Sequence, residues 1–132
     1  MTRTRDPVTI GLLVYSVYSL ALGVVMVFGA GWFFRNVGPF GIRNDHYTRD
    51  AATMYLAFGV AGVAALRRPT WRVPVLAVMT LEAAFHAVNH LWDVSKAHPK
   101  RDGPIDFVLI ALSAAVLGWL TWRAARSERA QP

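Results

Sequence analysis

Residues 8–34 have the sequence VTIGLLVYSVYSLALGVVMVFGAGWFF, an uninterrupted stretch without a charged side chain. A helix needs about 20 apolar residues to cross the hydrocarbon core of a bilayer, and this stretch has 27. The apolar part of a cleaved signal peptide would be only about 7–15 residues long. The stretch also ends on Trp32, Phe33 and Phe34, and such aromatic residues anchor helices at the membrane interface. It therefore predicts a transmembrane helix that the mature protein retains.

Three further apolar segments follow and predict helices over about 47–67, 72–93 and 104–124. Turn and capping residues separate them: a Gly38-Pro39-Phe40-Gly41 turn, Asn44 as an N-cap, and Pro104 at the first position of the fourth helix. Four helices joined by short loops favour an up-down-up-down arrangement. The sequence thus predicts an all-α fold, an integral membrane four-transmembrane-helix up-down bundle that forms a single domain over residues 1–132.

The overall composition agrees with a membrane protein and excludes several other classes. Of the 132 residues, 55% are apolar and only 17% are charged, yet the formal net charge is +6. Soluble domains have about 25% charged residues, and disordered chains have low hydrophobicity. The absence of cysteine excludes disulfides, cysteine-ligated zinc sites and iron–sulfur clusters.

The basic residues predict an orientation in the membrane. In an up-down bundle the N-terminus, the 67–72 loop and the C-terminal tail share one side, which carries eight lysines and arginines against six on the other. The positive-inside rule then predicts a multi-pass membrane protein with both termini in the cytoplasm. Because the basic residues are divided between two sides of a membrane, we expect no nucleic-acid partner.

The third predicted helix carries a stripe of polar side chains. At 100° per residue, Glu82, His86, Asn89 and Asp93 lie on one face, and His90 widens that face. Ionisable groups within a membrane cost about 2.5–3.5 kcal/mol each and therefore face a bundle interior or a water-filled cavity. The stripe predicts a functional site in the outer half of the bundle.

The other helices add polar groups to this predicted site. Asp50 shares a helical face with Ala57, Ala61 and Ala64–Ala65, and because small residues let helices approach closely, we expect it to point into the bundle. We expect Arg49 to pair with Asp50, Asp93 or Glu82. The predicted ligand-binding residues are Asp45, His46, Asn89, His90, Asp93, Tyr18 and Asp106.

The chemistry of the polar stripe is open at this point. It could be a hydrogen-bonded network that only fixes helix packing. Glu82 and His86 are one turn apart and could act as an acid–base pair, with Arg49 and Asp50 orienting groups. The His86-x-x-x-His90 spacing puts two imidazoles on one face, so a metal held with His46, or a haem, is a further alternative. The sequence identifies no cofactor.

Two segments resemble a known family. The run Asn44-Asp45-His46-Tyr47-Thr48-Arg49-Asp50, continued by Tyr55-Leu56-Ala57-Phe58-Gly59, together with His86-Ala87-Val88-Asn89-His90, resembles the DoxX-like small four-helix membrane proteins of bacteria. The resemblance implies the same fold in a bacterial inner membrane, with Asn44, Asp45, Arg49 and Asp50 opening the second helix. It implies no catalytic assignment, and the lack of cysteine departs from the members with thiol roles.

Two hypotheses for function follow. In the first, the protein binds a small lipophilic ligand, such as a quinone, an isoprenoid or a lipid, or it serves as an accessory membrane subunit. In the second, it is a small membrane-embedded enzyme that uses the chemistry of Glu82 and His86 or a bound metal or haem. The expected partners are the lipid bilayer, a lipophilic small molecule, and a homo-oligomer or larger membrane complex.

Overall fold

The computed structural model describes residues 6–130, and its regular structure is helical. The α-helices are α1 (Pro7–Phe28), α2 (Ala30–Asn36), α3 (Asp45–Arg67), α4 (Arg72–Trp92) and α5 (Asp102–Arg129), and a 3-10 turn at Pro69–Trp71 leads into α4. Within the described residues the extended pairing is limited to one isolated bridge between Phe40 and Ala97. The predicted all-α fold class is therefore confirmed.

The 8–34 stretch forms two helices rather than one. Gly29 leaves the helical region with φ −126° and ψ 37°, which ends α1 and starts the short α2. Its N–H still donates to the carbonyl of Val25 at 2.7 Å, and its own carbonyl accepts from the N–H of Phe33 at 2.8 Å. The chain therefore changes direction at Gly29 without losing the hydrogen bonds of the two helix ends.

Three of the helical segments are long and apolar enough to cross a membrane: Pro7–Phe28, Pro69–Trp92 and Asp102–Arg129. The 23-residue helix α3 is long enough but lies outside this group. Its first two turns hold Asp45, His46, Arg49 and Asp50, and these side chains lower its mean hydropathy.

The helices pack mainly as two pairs, α1 with α3 and α4 with α5. Small residues make the first pair close. A Cβ atom on Gly62 would collide with Ser16, and one on Gly59 would collide with Leu20. Ser16 lies fully buried in this interface and satisfies its hydroxyl by donating to the carbonyl of Leu12 at 2.5 Å. The structure thus shows the small-residue packing common between membrane helices.

The buried apolar core lies in one half of the bundle. Leu12 of α1, Leu76 of α4 and Leu120 of α5 are fully buried at its centre, and Ala65 of α3 completes the contact. Many large apolar side chains elsewhere face outward, and Val17, Val60, Phe85 and Leu112 are each more than half exposed. Contiguous exposed apolar surface of this kind is unusual for a protein in water and is typical of a surface covered by lipid.

The two ends of the bundle differ in construction. The termini end consists of the start of α1, the turn at 68–71 and the end of α5, where Arg72 donates to Asp6 at 3.4 Å and to Thr9 at 3.2 Å. The loop end consists of α2, the segments 37–44 and 93–101, and the adjoining ends of α3 (residues 45–50), α4 (residues 89–92) and α5 (residues 102–106). These two segments hold each other through the Phe40–Ala97 bridge and a hydrogen bond from the N–H of His98 to the carbonyl of Pro39 at 3.2 Å.

Candidate functional site

Glu82, His86 and Tyr55 form the centre of the polar site. Glu82 and His86 are one turn apart on α4, and Oε1 of Glu82 lies 3.3 Å from Nδ1 of His86. The hydroxyl of Tyr55, on α3, lies 3.3 Å from the same Nδ1 atom. The side chains are largely enclosed, with 20% of Glu82 and 32% of His86 exposed. The structure therefore brings the predicted acid–base pair together and adds a tyrosine to it.

The shared Nδ1 atom of His86 has room for one proton, which makes the two contacts alternatives. When Nδ1 carries the proton, it donates to the carboxylate of Glu82, and the Tyr55 hydroxyl is free to bond elsewhere. When Nδ1 is bare, it accepts the hydroxyl proton of Tyr55. The shared proton can thus lie on Nδ1 of His86 or on the hydroxyl of Tyr55. The first arrangement leaves the Tyr55 hydroxyl available to a ligand, and the second leaves the Glu82 carboxylate available.

His90 extends the cluster toward the loop end. Its ring centroid lies 4.8 Å from that of His86, and the Phe40 ring meets it edge-on at 4.9 Å. The Nδ1 atom of His90 is buried and has no hydrogen-bond partner among residues 6–130. Phe40 therefore covers the His90 ring on this side of the cluster, and the Nδ1 atom of His90 is shielded from solvent.

Helices α1 and α5 each place one polar residue near the cluster, namely Tyr18 and Asp106. Tyr18 of α1 and Tyr55 of α3 lie close enough to Glu82 for its charge to act on both hydroxyls. Asp106 of α5 is partly buried and lies within electrostatic reach of His86. Tyr18 is 55% exposed and Asp106 is partly buried. Residues of four helices thus lie near the cluster, and the contribution of Tyr18 and Asp106 to ligand binding stays a prediction.

The polar residues that open α3 form their own local contacts. His46 and Asp50 pair with each other at 3.3 Å, with 81% and 61% of their side chains exposed. Asp50 does not point into the bundle as expected, because α3 buries the face that carries Ala52, Gly59 and Gly62 and leaves Asp50 on the exposed side. Arg49 is exposed and forms no ion pair with a described carboxylate, so the expected pairing with Asp50, Asp93 or Glu82 is also corrected.

Three further predicted ligand-binding residues lie at the loop end, away from the Glu82 cluster. The carboxylate of Asp45 accepts two hydrogen bonds of 2.6 Å from Arg43, which lower the pKa of that carboxyl. Asp93 pairs with Lys96 at 2.7 Å, and Asn89 is exposed. These contacts tie the helix ends to the adjoining loops.

The predicted three-histidine metal site does not form. His46 contacts Asp50 on the surface of α3, whereas His86 and His90 stack on α4. Across the described part of the chain, no three histidine or carboxylate side chains converge as metal ligands would. His86 and His90 share one face of α4, as their spacing predicts. His46 lies on the exposed surface of α3 and does not join them.

A groove between α3 and α4 is the feature that the sequence did not predict. Its walls are Ala57, Phe58, Ala61, Thr70, Trp71, Pro74, Val75 and Val78, and its volume is about 610 Å³. It is open along one side and is almost entirely apolar. It exists because α3 and α4 pack against each other over only a short stretch.

The groove leads toward the polar cluster. Glu82 follows Val78 by one turn and Val75 by two, so the three share one face of α4. On α3, Tyr55 precedes Phe58 by one turn. The small residues Ala57 and Ala61, expected to pack closely against another helix, instead leave room for the groove. The face of α3 that packs on α1 carries Ala52, Gly59 and Gly62, and Tyr55 borders it at i+3 from Ala52.

Comparison of the chain with protein-family models, with curated proteins and with solved structures finds no match. The resemblance to DoxX-like proteins has no support from these comparisons and stays a prediction.

Proposed function

We propose that α1, α3, α4 and α5 cross a bacterial inner membrane as a four-helix bundle with both termini in the cytoplasm. At about 1.5 Å per residue, the 23 residues of α3 span roughly 35 Å, and the 17 residues after Asp50 span about 26 Å, which is close to the ~30 Å hydrocarbon core. The proposal that α3 is a fourth transmembrane helix is further supported by its packing along α1, which is itself a candidate span. The polar start of α3 would then lie at the outer interface.

Within this bundle the protein binds a small lipophilic ligand that has a polar head, such as a quinone, an isoprenoid or a lipid. The observation that carries this proposal is the apolar α3–α4 groove that leads to Glu82, His86 and Tyr55. The apolar part of the ligand would lie between Ala57 and Val78. Its head would reach the hydroxyl of Tyr55 or the imidazole of His86.

The size and opening of the groove favour a ligand that enters from the bilayer. Pockets for small molecules measure about 300–1,000 Å³ and are mostly apolar with a few polar groups, and the α3–α4 groove is similar. The surface around it is apolar, as the exposed Val60 and Leu81 illustrate. A lipophilic molecule can therefore pass from the membrane into the groove without crossing water. Because Nδ1 of His86 can pair with either Glu82 or Tyr55, the site suits a head group that donates or accepts a hydrogen bond.

A second candidate function is acid–base chemistry on the same ligand. The 3.3 Å separation between Glu82 and His86 is the observation that favours it, because a proton can move between groups at about hydrogen-bond distance. In that case His86 would exchange the proton with the ligand head and Glu82 would hold the imidazole in place. An accessory subunit that presents a bound lipid to a larger membrane complex uses the same site without chemistry.

The test is the ligand that leaves the membrane with the protein. We expect organic extracts of protein purified in a mild detergent to contain a lipophilic molecule at a fixed molar ratio, identified by mass spectrometry. His86→Ala should lose most of it. His98→Ala, a change at an exposed loop histidine, is the matched control and should retain it.

Equal retention by both variants, with helicity unchanged by circular dichroism, would remove the polar cluster from the proposal. To separate the two candidate functions, the extracted molecule is added back to the protein and to Glu82→Gln. Binding that survives Glu82→Gln without any chemical change in the ligand supports a binding protein. Conversion of the ligand by the unmodified protein alone supports the enzyme.

A further inference from the structure

The termini end carries a concentration of arginine. Its described basic residues are Arg67, Arg68, Arg72, Arg123, Arg126 and Arg129, and its described carboxylates are Asp6 and Glu128, a net charge of +4. Arg3 and Arg5 precede α1 in the sequence and lie outside the described residues. The loop end also carries six basic residues, but five aspartates accompany them.

The two ends also differ in how these charges are paired. At the loop end three of the six basic residues form ion pairs, namely Arg43 with Asp45, Lys96 with Asp93 and Arg101 with Asp102. At the termini end, within residues 6–130, Arg72 with Asp6 is the sole ion pair. Five guanidinium groups at that end therefore have no carboxylate partner within the described chain, and their exposed donors can bind an external anion.

Tryptophan rings hold three of these five arginines in place. The guanidinium of Arg126 lies 4.3 Å from the ring centroid of Trp122, that of Arg123 lies 5.4 Å from Trp119, and that of Arg68 lies 5.5 Å from Trp71. A guanidinium that rests its face on an aromatic ring keeps its N–H donors in its own plane. The donors of all three arginines thus remain available to bind anions.

All three pairs lie at the termini end, where a membrane helix would meet the lipid headgroups. Tryptophan prefers the level of the lipid headgroups, and the three rings concerned are close to half exposed. On α5 the exposed Leu112 and Val116 continue the face of Trp119 toward the middle of the helix. An apolar strip that ends in tryptophan and then arginine matches the order of acyl chain, interface and phosphate in one leaflet.

We propose that the termini end binds the phosphate groups of anionic phospholipids through Arg68, Arg123 and Arg126. This inference is independent of the ligand in the α3–α4 groove. Arginine binds phosphate through two parallel N–H donors, and a polybasic segment beside a membrane helix is attracted to anionic lipids. The contact would fix the depth of the bundle and favour the cytoplasmic side for both termini.

The test uses the purified full chain and two lipids of known headgroup. The protein is mixed with equal amounts of phosphatidylglycerol and phosphatidylcholine, and native mass spectrometry counts the molecules of each that stay bound. We expect phosphatidylglycerol to dominate. Replacing Arg68, Arg123 and Arg126 by glutamine should reduce that preference, by up to about fivefold for each arginine removed.

A matched control removes the same charge from the loop end. Arg35→Gln, Lys100→Gln and Arg101→Gln together should leave the lipid preference unchanged. A second variant replaces the three arginines of the termini end by lysine and should keep part of the preference, because the charge remains while the stacked, bidentate donor is lost.

Equal binding of both lipids by the unmodified protein would overturn the proposal. So would an equal loss of preference in the loop-end control. Single-stranded RNA that displaces phosphatidylglycerol at the same phosphate concentration would also contradict it, because the surface would then bind any polyanion.

Discussion

His86 on α4 and Tyr55 on α3 are joined by a 3.3 Å contact between Nδ1 and the phenolic hydroxyl. In the described part of the chain no other side-chain hydrogen bond links these two helices, which elsewhere separate to leave the groove. The contact is therefore the polar link between α3 and α4, and it lies one turn beyond Phe58, which lines the apolar groove on α3.

Tyr55→Phe should destabilise the protein by about 1 kcal/mol, the usual contribution of one partly buried hydrogen bond. The loss would appear as a lower midpoint of thermal unfolding in detergent, followed by circular dichroism. Tyr47→Phe is the matched control, because Tyr47 is 73% exposed and its hydroxyl forms no hydrogen bond to another described residue. Equal midpoints for Tyr55→Phe and the unmodified protein would mean that the contact adds nothing to stability.

Gly62→Val should separate α1 from α3, because even a Cβ atom at this position collides with Ser16. Overpacking of this kind typically costs about 1–3 kcal/mol. Gly118→Ala is the control on α5, since its Cβ would lie an ordinary 3.6 Å from Thr80, and alanine should stabilise the helix by about 0.5–1 kcal/mol. Opposite signs for the two variants in thermal unfolding are the expected result.

The Arg43–Asp45 pair should contribute to stability in a pH-dependent way. Arg43 lowers the pKa of Asp45 below 3.8 in the folded protein. Its contribution is therefore complete above the unfolded pKa and disappears as the pH falls through the lower, folded value. Unfolding midpoints of the protein and of Asp45→Asn should differ near pH 6 and converge at about pH 2. A difference that grows on acidification would contradict this assignment.

The proposed orientation can be tested with single cysteines, since the chain has none of its own. Ser95→Cys lies in an exposed loop-end segment and Ser127→Cys lies on the exposed end of α5. A membrane-impermeant maleimide added to intact bacterial cells should label Ser95→Cys and leave Ser127→Cys unlabelled until the cells are opened. The reverse pattern would place the termini outside.

Local patterns were enough to predict the helical fold and part of the site. The uncharged run at 8–34 required a helix, and the i,i+4 spacing of Glu82 and His86 required them to share a face whatever the packing. The break at Gly29 was missed because apolar residues continue across it, and hydropathy does not register a change of backbone direction at one glycine.

The contribution of α3 could not be obtained from local patterns. Asp50 and the alanines after it suggested an inward face, but of that set the structure buries Ala65 alone, together with Ala52, Gly59 and Gly62 from a neighbouring face. Both faces carry small residues, so periodicity alone cannot choose between them. The choice depends on which side chains of α1 fit against α3, and that is also what brings Tyr55 to His86 and leaves His46 outside.

The most direct test of the account is the amount of lipophilic molecule that purifies with the protein when the groove is filled. Ala57→Phe places a ring in the groove from its exposed α3 wall, and Ala115→Phe adds the same ring to an exposed position on α5 outside it. We expect mass spectrometry of organic extracts to show a fixed molar ratio of one such molecule in the unmodified protein and in Ala115→Phe. The ratio should fall at least severalfold in Ala57→Phe. The same ratio in all three folded proteins, or no such molecule in any of them, would contradict the proposal that the α3–α4 groove holds a ligand.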